Sequence, residues 1–420
     1  MRQRQSEQTS IPVSVKVFKV ATLFAAAAAV ALVGCKRAKQ TSSPLAKMPV
    51  QAAPAAHAAP VGYVYITNNG EGTVSELGRQ ADGSLVFLRT AKAGAVDGPT
   101  GIAVDPSNRF LYVANEGDGR IYQFRMKRDT GDLAMVGEGS VDDGSTSRPQ
   151  QIAISPHGDF VYVANSGKGT DGSIAEYIIN SATGALKPLE IFRGSGLQHP
   201  LGIAITPNGN FVYVSDSGAG TIVVFAVESS GKLKLVGSTP SLGDRTGQPG
   251  LVAVHPSGSF VYTVDGSLGT VAVFKTTAAG KLSATTTYRV GISTAGPFGI
   301  ALAAVGPEVF VYTANRGVDT VSSLVVKSGA LKLVGECPTG MGYPTGMMAD
   351  PSGHFLYVVN RDASTVAQFA IGATKGVALI PTASIFTEDS PSETSHPLYV
   401  AMTRWDATPS VAQGRGTQTK

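Results

Sequence analysis

The chain of 420 residues holds two cysteines, one tryptophan and six histidines, and only 15% of its residues are charged. Two cysteines cannot build a disulfide scaffold or a cysteine-rich metal cluster. A single tryptophan, Trp405, excludes repeat folds that dock one tryptophan per unit. The formal charge of +4 belongs mostly to the first 35 residues, where Arg2, Arg4, Lys16 and Lys19 face Glu7. The remainder has 30 basic and 29 acidic residues, which gives no electrostatic case for nucleic acid. Neither G-x-S-x-G nor H-E-x-x-H occurs, so any hydrolysis here would use water as nucleophile. No cofactor or metal is expected.

Glycine, in contrast, is abundant at 50 residues. It punctuates a phrase that the chain writes seven times, as in FVYVSDSGAGTIVVF from Phe211: an apolar run, a Ser/Asp/Gly turn and a second apolar run. That is a β-hairpin signal. The aligned tyrosines are Tyr65, Tyr112, Tyr162, Tyr213, Tyr262, Tyr312 and Tyr357, a period near fifty residues. Before each later hairpin lies a proline-led run with small residues, such as GPTGIAVDPSN from Gly98; after each comes a Gly turn and a further strand. Each unit is therefore four antiparallel strands, A to D, and the architecture is an all-β, seven-bladed propeller. The chain enters at a B strand near Tyr63 and ends on an unpartnered A phrase, HPLYVAMTR from His396. This terminal strand should complete blade 1 and close the ring, leaving no open edge between first and last blades.

The N-terminus reads as an export signal. A polar basic opening precedes VATLFAAAAAVALVG and then Cys35, a run short for a spanning helix. Leu32-Val33-Gly34-Cys35 resembles a bacterial lipobox, in which the cysteine receives a lipid. Cys337 would then be alone in the mature chain, with no internal disulfide. The expected organisation is a signal over 1–35, an Ala/Pro-rich tether over 36–60, the propeller over 61–405 and a tail over 406–420. The protein would be exported and lipid-anchored in the cell envelope, and Lys36 after the cysteine favours the outer membrane over inner-membrane retention.

The YVAN-type B strands, proline-led A strands and fifty-residue period together resemble the seven-bladed lactonase family, which includes 6-phosphogluconolactonase-like enzymes. Shorter YVTN-repeat surface propellers share the B-strand phrase. The resemblance spans roughly residues 61–405 and implies fold more specifically than activity, since the matching words are scaffold words. It implies hydrolysis of a small-molecule lactone or a related sugar-acid ligand. For an exported chain an extracytoplasmic lactone is favoured over a phosphorylated cytoplasmic one. The alternative is a non-catalytic envelope propeller that binds a ligand or protein partner.

Repetition separates scaffold from site. The residues ending the B strands, Asn68, Asn115, Asn165, Asp216, Asp265, Asn315 and Asn360, are nearly uniform and read as turn formers. Those just before the A-strand prolines and just after the B-strand Asn or Asp vary from blade to blade. They share one rim, because A begins at the face where B ends. Among them are His199, His396 and Glu116 as candidate bases for activating water. Arg148, Arg316, Arg361 and Tyr343 are candidates for holding an oxyanion or carboxylate. His157, His255 and His354 fall at turns on the opposite face. The lipobox reading has a direct check: a radiolabelled fatty acid should be incorporated into the wild-type chain and lost from Cys35→Ala.

Overall fold

The computed structural model describes residues 59–404, apart from 95–97, 143–146, 170, 195, 243–246, 292–294, 341, 373–375 and 388–394. The signal, tether and tail expectations lie outside the described residues. Those described form 28 strands and no helix, arranged as seven four-stranded antiparallel sheets. Six sheets are consecutive in sequence; the seventh places Pro397–Met402 beside Gly62–Asn68, pairing Val64 with Met402 and Ile66 with Val400. The chain's last strand thus completes blade 1. Thr403 then accepts the Tyr63 amide at 3.1 Å, and the Arg404 amide bonds Asn108 of blade 2 at 2.7 Å.

Burial explains the strand order within a blade. B strands such as Gly62–Asn68 and Phe110–Asn115 are buried along their whole length. D strands such as Leu186–Arg193 and Leu233–Pro240 are half solvated, as suits an exposed edge. The A strands crowd the axis. A Cβ on Gly101 would sit 2.4 Å from the Gln150 carbonyl oxygen, and one on Gly346 would sit 2.4 Å from that of Leu398. Only glycine permits neighbouring A strands this close.

Blades are joined by the repeated tyrosine. Its hydroxyl donates to a glycine carbonyl in the next blade's C–D turn: Tyr65 to Gly131, Tyr112 to Gly184, Tyr162 to Gly231, Tyr213 to Gly280 and Tyr357 to Gly83, at 2.7 to 3.1 Å. The same glycines have positive φ and lie under the aromatic ring that opens the preceding B strand. An added Cβ at Gly184 would meet Phe110 at 2.2 Å, and one at Gly231 would meet Phe160 at 2.2 Å.

Four junctions carry a second link. A side-chain oxygen on strand C accepts the amide of the leucine that opens the next D strand: Glu76 from Leu133, Gln123 from Leu186, Glu176 from Leu233 and Gln368 from Leu85. Blades 4 to 6 place Val224, Val273 and Ser323 at the same register.

One detail differs from the sequence reading. The A phrase of blade 6 lacks the proline turn of its equivalents, and its strands Pro297–Val305 and Glu308–Asn315 run longer, joined by a hairpin through Gly306. Cys337 is buried, and the chain's other cysteine, Cys35, lies outside the described residues.

Glu176 gives this scaffold a pH dependence. Burial pushes its carboxyl up to about 7, with nearby Glu190 adding to the rise and the Leu233 amide opposing it. A raised folded-state value means the folded protein holds a proton that the unfolded chain releases. The stabilisation is complete below about pH 4.5 and is lost as pH rises through about 7. Glu176→Gln, copying blades 2 and 7, should remove that dependence. Melting curves should show the variant more stable than wild type above pH 7, by on the order of 2 kcal/mol.

Candidate functional site

The rim is built from two backbone rules. In most blades the amide after the B-strand Asn or Asp donates to the carbonyl of the residue before the A-strand proline. Examples are Glu116 to Gly98, Ser166 to Arg148, Ser217 to His199, Arg316 to Gly296, Arg361 to Tyr343 and Asn69 to His396. This bond brings the two variable positions of a blade side by side.

The second rule divides the blades. In blades 1, 2, 3, 6 and 7 the pre-proline residue has a positive φ: His396 at 41°, Gly98 at 130°, Arg148 at 48°, Gly296 at 55° and Tyr343 at 59°. Two of these are glycine, which takes the conformation freely; the three side-chain-bearing residues hold it under strain. In blades 4 and 5 the equivalents, His199 and Gln248, do not adopt it. The reason lies at the end of strand B, where these two blades carry Asp instead of Asn. Asp216 accepts the amides of Gln198 at 2.7 Å and His199 at 2.8 Å, together with Gly218 and Ala219 at 3.1 Å each. Asp265 accepts Gln248 at 2.5 Å and Leu268 at 2.9 Å.

An Asn at this position works differently. The Asn115 side chain accepts the Gly117 amide at 2.9 Å and donates to the Ala93 carbonyl at 2.9 Å; Asn360 likewise donates to Thr339. The expected side-chain bonding to the following turn is present at Asn115, Asp216 and Asp265, whereas the Oδ1 atoms of Asn68, Asn165 and Asn360 have no hydrogen-bond partner among the described residues, so the seven positions are not equivalent. The carboxylates of blades 4 and 5 also anchor the loop ahead of strand A.

Between blades 4 and 7 these loops enclose a pocket of about 590 Å³, lined by His199, Ser217, Gln248, Phe298, Arg316 and Tyr343 among others. The His199 ring lies over Gly218, where an added Cβ would meet its Cδ2 at 3.0 Å. Arg316 is the most constrained member. Its guanidinium carbon is 3.3 Å from the Phe298 ring centroid and 5.0 Å from that of Tyr343. Its Nε has no hydrogen-bond partner, and burial pulls its pKa down. Among the described residues no carboxylate lies within ion-pair distance of it.

The structure therefore brings His199, Arg316 and Tyr343 into one pocket. Glu116, Arg148, Arg361 and His396 stand elsewhere on the rim. Glu116 is engaged by Arg148 at 3.4 Å and Gln150 at 2.8 Å, and Arg361 is 3.9 Å from Asp362. His255 and His354 bond serines in their own turns, at 2.7 and 2.8 Å. Among the described residues no group of three His, Cys, Asp or Glu side chains is arranged to hold a metal.

Phe298 and Tyr399 were not foreseen. Phe298 occupies the second A-strand position, where the other blades place Thr100, Gln150, Leu201, Gly250, Thr345 and Leu398. Tyr399 occupies the third, glycine in four blades. Burial pushes its hydroxyl up to about 12, with Arg316 opposing the rise and Glu116 adding to it. Comparing blades one and two residues further into strand A would have singled out both.

The Asp/Asn division is testable by exchange. Asp216→Asn puts an amide N–H against a backbone N–H, and Asn115→Asp sets a carboxylate against the Ala93 carbonyl. Each should cost about 1–3 kcal/mol in denaturant unfolding, whereas an interchangeable turn residue would cost almost nothing.

The family pattern described as lactonase, 7-bladed beta-propeller matches residues 38–245, 195–295 and 251–391. A stretch of 64 residues is 38% identical to a 6-phosphogluconolactonase of Formosa agariphila, covering 14% of this chain and only 18% of that protein's length. The periplasmic gluconolactonase of Pseudomonas aeruginosa superposes with a TM-score of 0.67 at 20% identity, over 82% of this chain and 99% of that one. A candidate 6-phosphogluconolactonase from Bacteroides uniformis gives 0.68 at 21%, over 81% and 99%. At these identities the superpositions speak for the fold. With the family pattern covering most of the sequence, the chain belongs to the lactonase family of seven-bladed β-propellers.

Proposed function

We propose that this protein is a lactonase-like hydrolase that opens a cyclic ester of a sugar or organic acid in the rim pocket of blades 4 to 7. The observation that carries this is Arg316, a largely buried guanidinium with no carboxylate within ion-pair distance among the described residues, in a pocket also lined by His199. An unpaired buried cation is costly to a fold. Its retention is accounted for by a ligand that brings or develops negative charge.

In this reading His199 takes a proton from water as the oxygen attacks the lactone carbonyl, and Arg316 stabilises the oxyanion. The ring C–O bond then breaks, the departing ring oxygen takes up a proton, and the product is the open hydroxy acid. Gln248, Ser217 and Ser267 supply neutral hydrogen-bonding groups for ring hydroxyls. Glu116 and His396 are weaker candidates for the base, because neither lines the pocket.

The export signal, together with a fold shared by a periplasmic gluconolactonase, supports action in the cell envelope. Among the described residues no helix is long and apolar enough to cross a membrane. A lipid on Cys35 would supply the anchor. Turnover of a lactone panel by the purified full-length chain tests the activity. His199→Ala should lower kcat/KM by about 10²–10⁴-fold, with His396→Ala much closer to wild type. Equal activity in both variants would reject His199 as the base. Failure to open any lactone would favour a binding propeller.

A further inference from the structure

The pocket's charge restricts what it can hold. Of the side chains lining it, Arg316 alone has a fixed charge, and none is Lys, Asp or Glu. Of the other rim arginines, Arg148 pairs with Glu116, and neither it nor Arg361 lines the pocket. A phosphorylated sugar acid would bring up to two further negative charges to a site lined by a single guanidinium, whose own positive charge burial already disfavours. Those charges would lose water without gaining partners.

One carboxylate fits this charge. The Phe298 ring lies 3.3 Å from the guanidinium carbon, and a guanidinium meets a planar carboxylate through two N–H groups along its edge. The remaining lining is neutral and hydrogen-bonding, from Ser217, Ser267 and Gln248, with glycines at 218, 250, 266, 296 and 317 leaving backbone polar groups accessible. That lining suits a polyhydroxylated chain.

Tyr343 points the same way. It holds a left-handed backbone at φ 59° in the position where Gly98 and Gly296 serve two other blades. Glycine would relieve the strain, so the retained side chain is explained by its ring, 5.0 Å from the Arg316 guanidinium carbon.

We infer that the pocket is selective for an unphosphorylated, singly charged hydroxy acid, whose carboxylate pairs with the edge of Arg316, and for the lactone that yields it. The inference rests on the rim pocket being the reactive site proposed above, but its charge rule can be tested without turnover.

Calorimetric titration of the full-length chain with D-gluconate, neutral D-gluconamide and 6-phosphogluconate reads it directly. Gluconate should bind at least ~10-fold more tightly than either of the others, one charge-assisted pairing being worth that much. Arg316→Gln should bring gluconate down to the gluconamide level. Tyr343→Gly, which relaxes the backbone and should fold at least as well, should also weaken gluconate. Equal or tighter binding of 6-phosphogluconate, no preference for gluconate over its amide, or no gluconate binding at all would each overturn the inference. Gluconate binding without turnover of any lactone would instead sink the hydrolase reading and leave the charge rule standing. Turnover accompanied by tighter phosphogluconate binding would do the reverse.

Discussion

The contact on which this structure depends is the one between neighbouring blades, where a tyrosine hydroxyl meets a glycine carbonyl beneath an aromatic ring. A four-stranded sheet buries little alone, so each blade must use its neighbour as the rest of its core. The glycine is required twice over, by its positive φ and by the ring against it, as at Gly184 under Phe110. Five junctions carry this hydroxyl–carbonyl bond, whereas Tyr262 and Tyr312 bury hydroxyls without a partner among the described residues; the circle itself closes only if the last strand returns to the first blade. Pro397–Met402 does so.

A ring of like units leaves function to the exceptions, and they follow a chemical logic. Exchanging Asn for Asp at the end of strand B in blades 4 and 5 replaces a donor with an acceptor. The extra acceptor captures the amides ahead of strand A, and with them His199 and Gln248. Elsewhere the same position turns through a left-handed residue. A one-atom change in side-chain chemistry therefore fixes the backbone ahead of strand A in the two blades that bring His199 and Gln248 to the pocket.

The fold was legible because sevenfold repetition averages out local ambiguity: a hairpin that says little once says a great deal at a fixed period. The closing strand could be found by noticing which strand each end of the chain lacked. The site was legible only in part. His199, Arg316 and Tyr343 stood out as rim positions where the blades disagree, but so did Glu116, Arg148, Arg361 and His396. Which of them share a cavity depends on the blade they belong to and on side-chain pairings such as Glu116 with Arg148. Phe298 escaped notice because an apolar residue inside a strand looks like core until its ring is found beneath a cation. The difference between Asp216 and Asn115 was visible in the sequence, but its meaning needed the direction of each hydrogen bond.

The chain's path through blade 1 has an orientational consequence. It enters the propeller at Gly62, where a B strand begins, and every B strand begins on the face away from the rim that carries the pocket. The polypeptide leading into Gly62 therefore joins the propeller at the back of the disc, and the face that carries the pocket is left free of that junction.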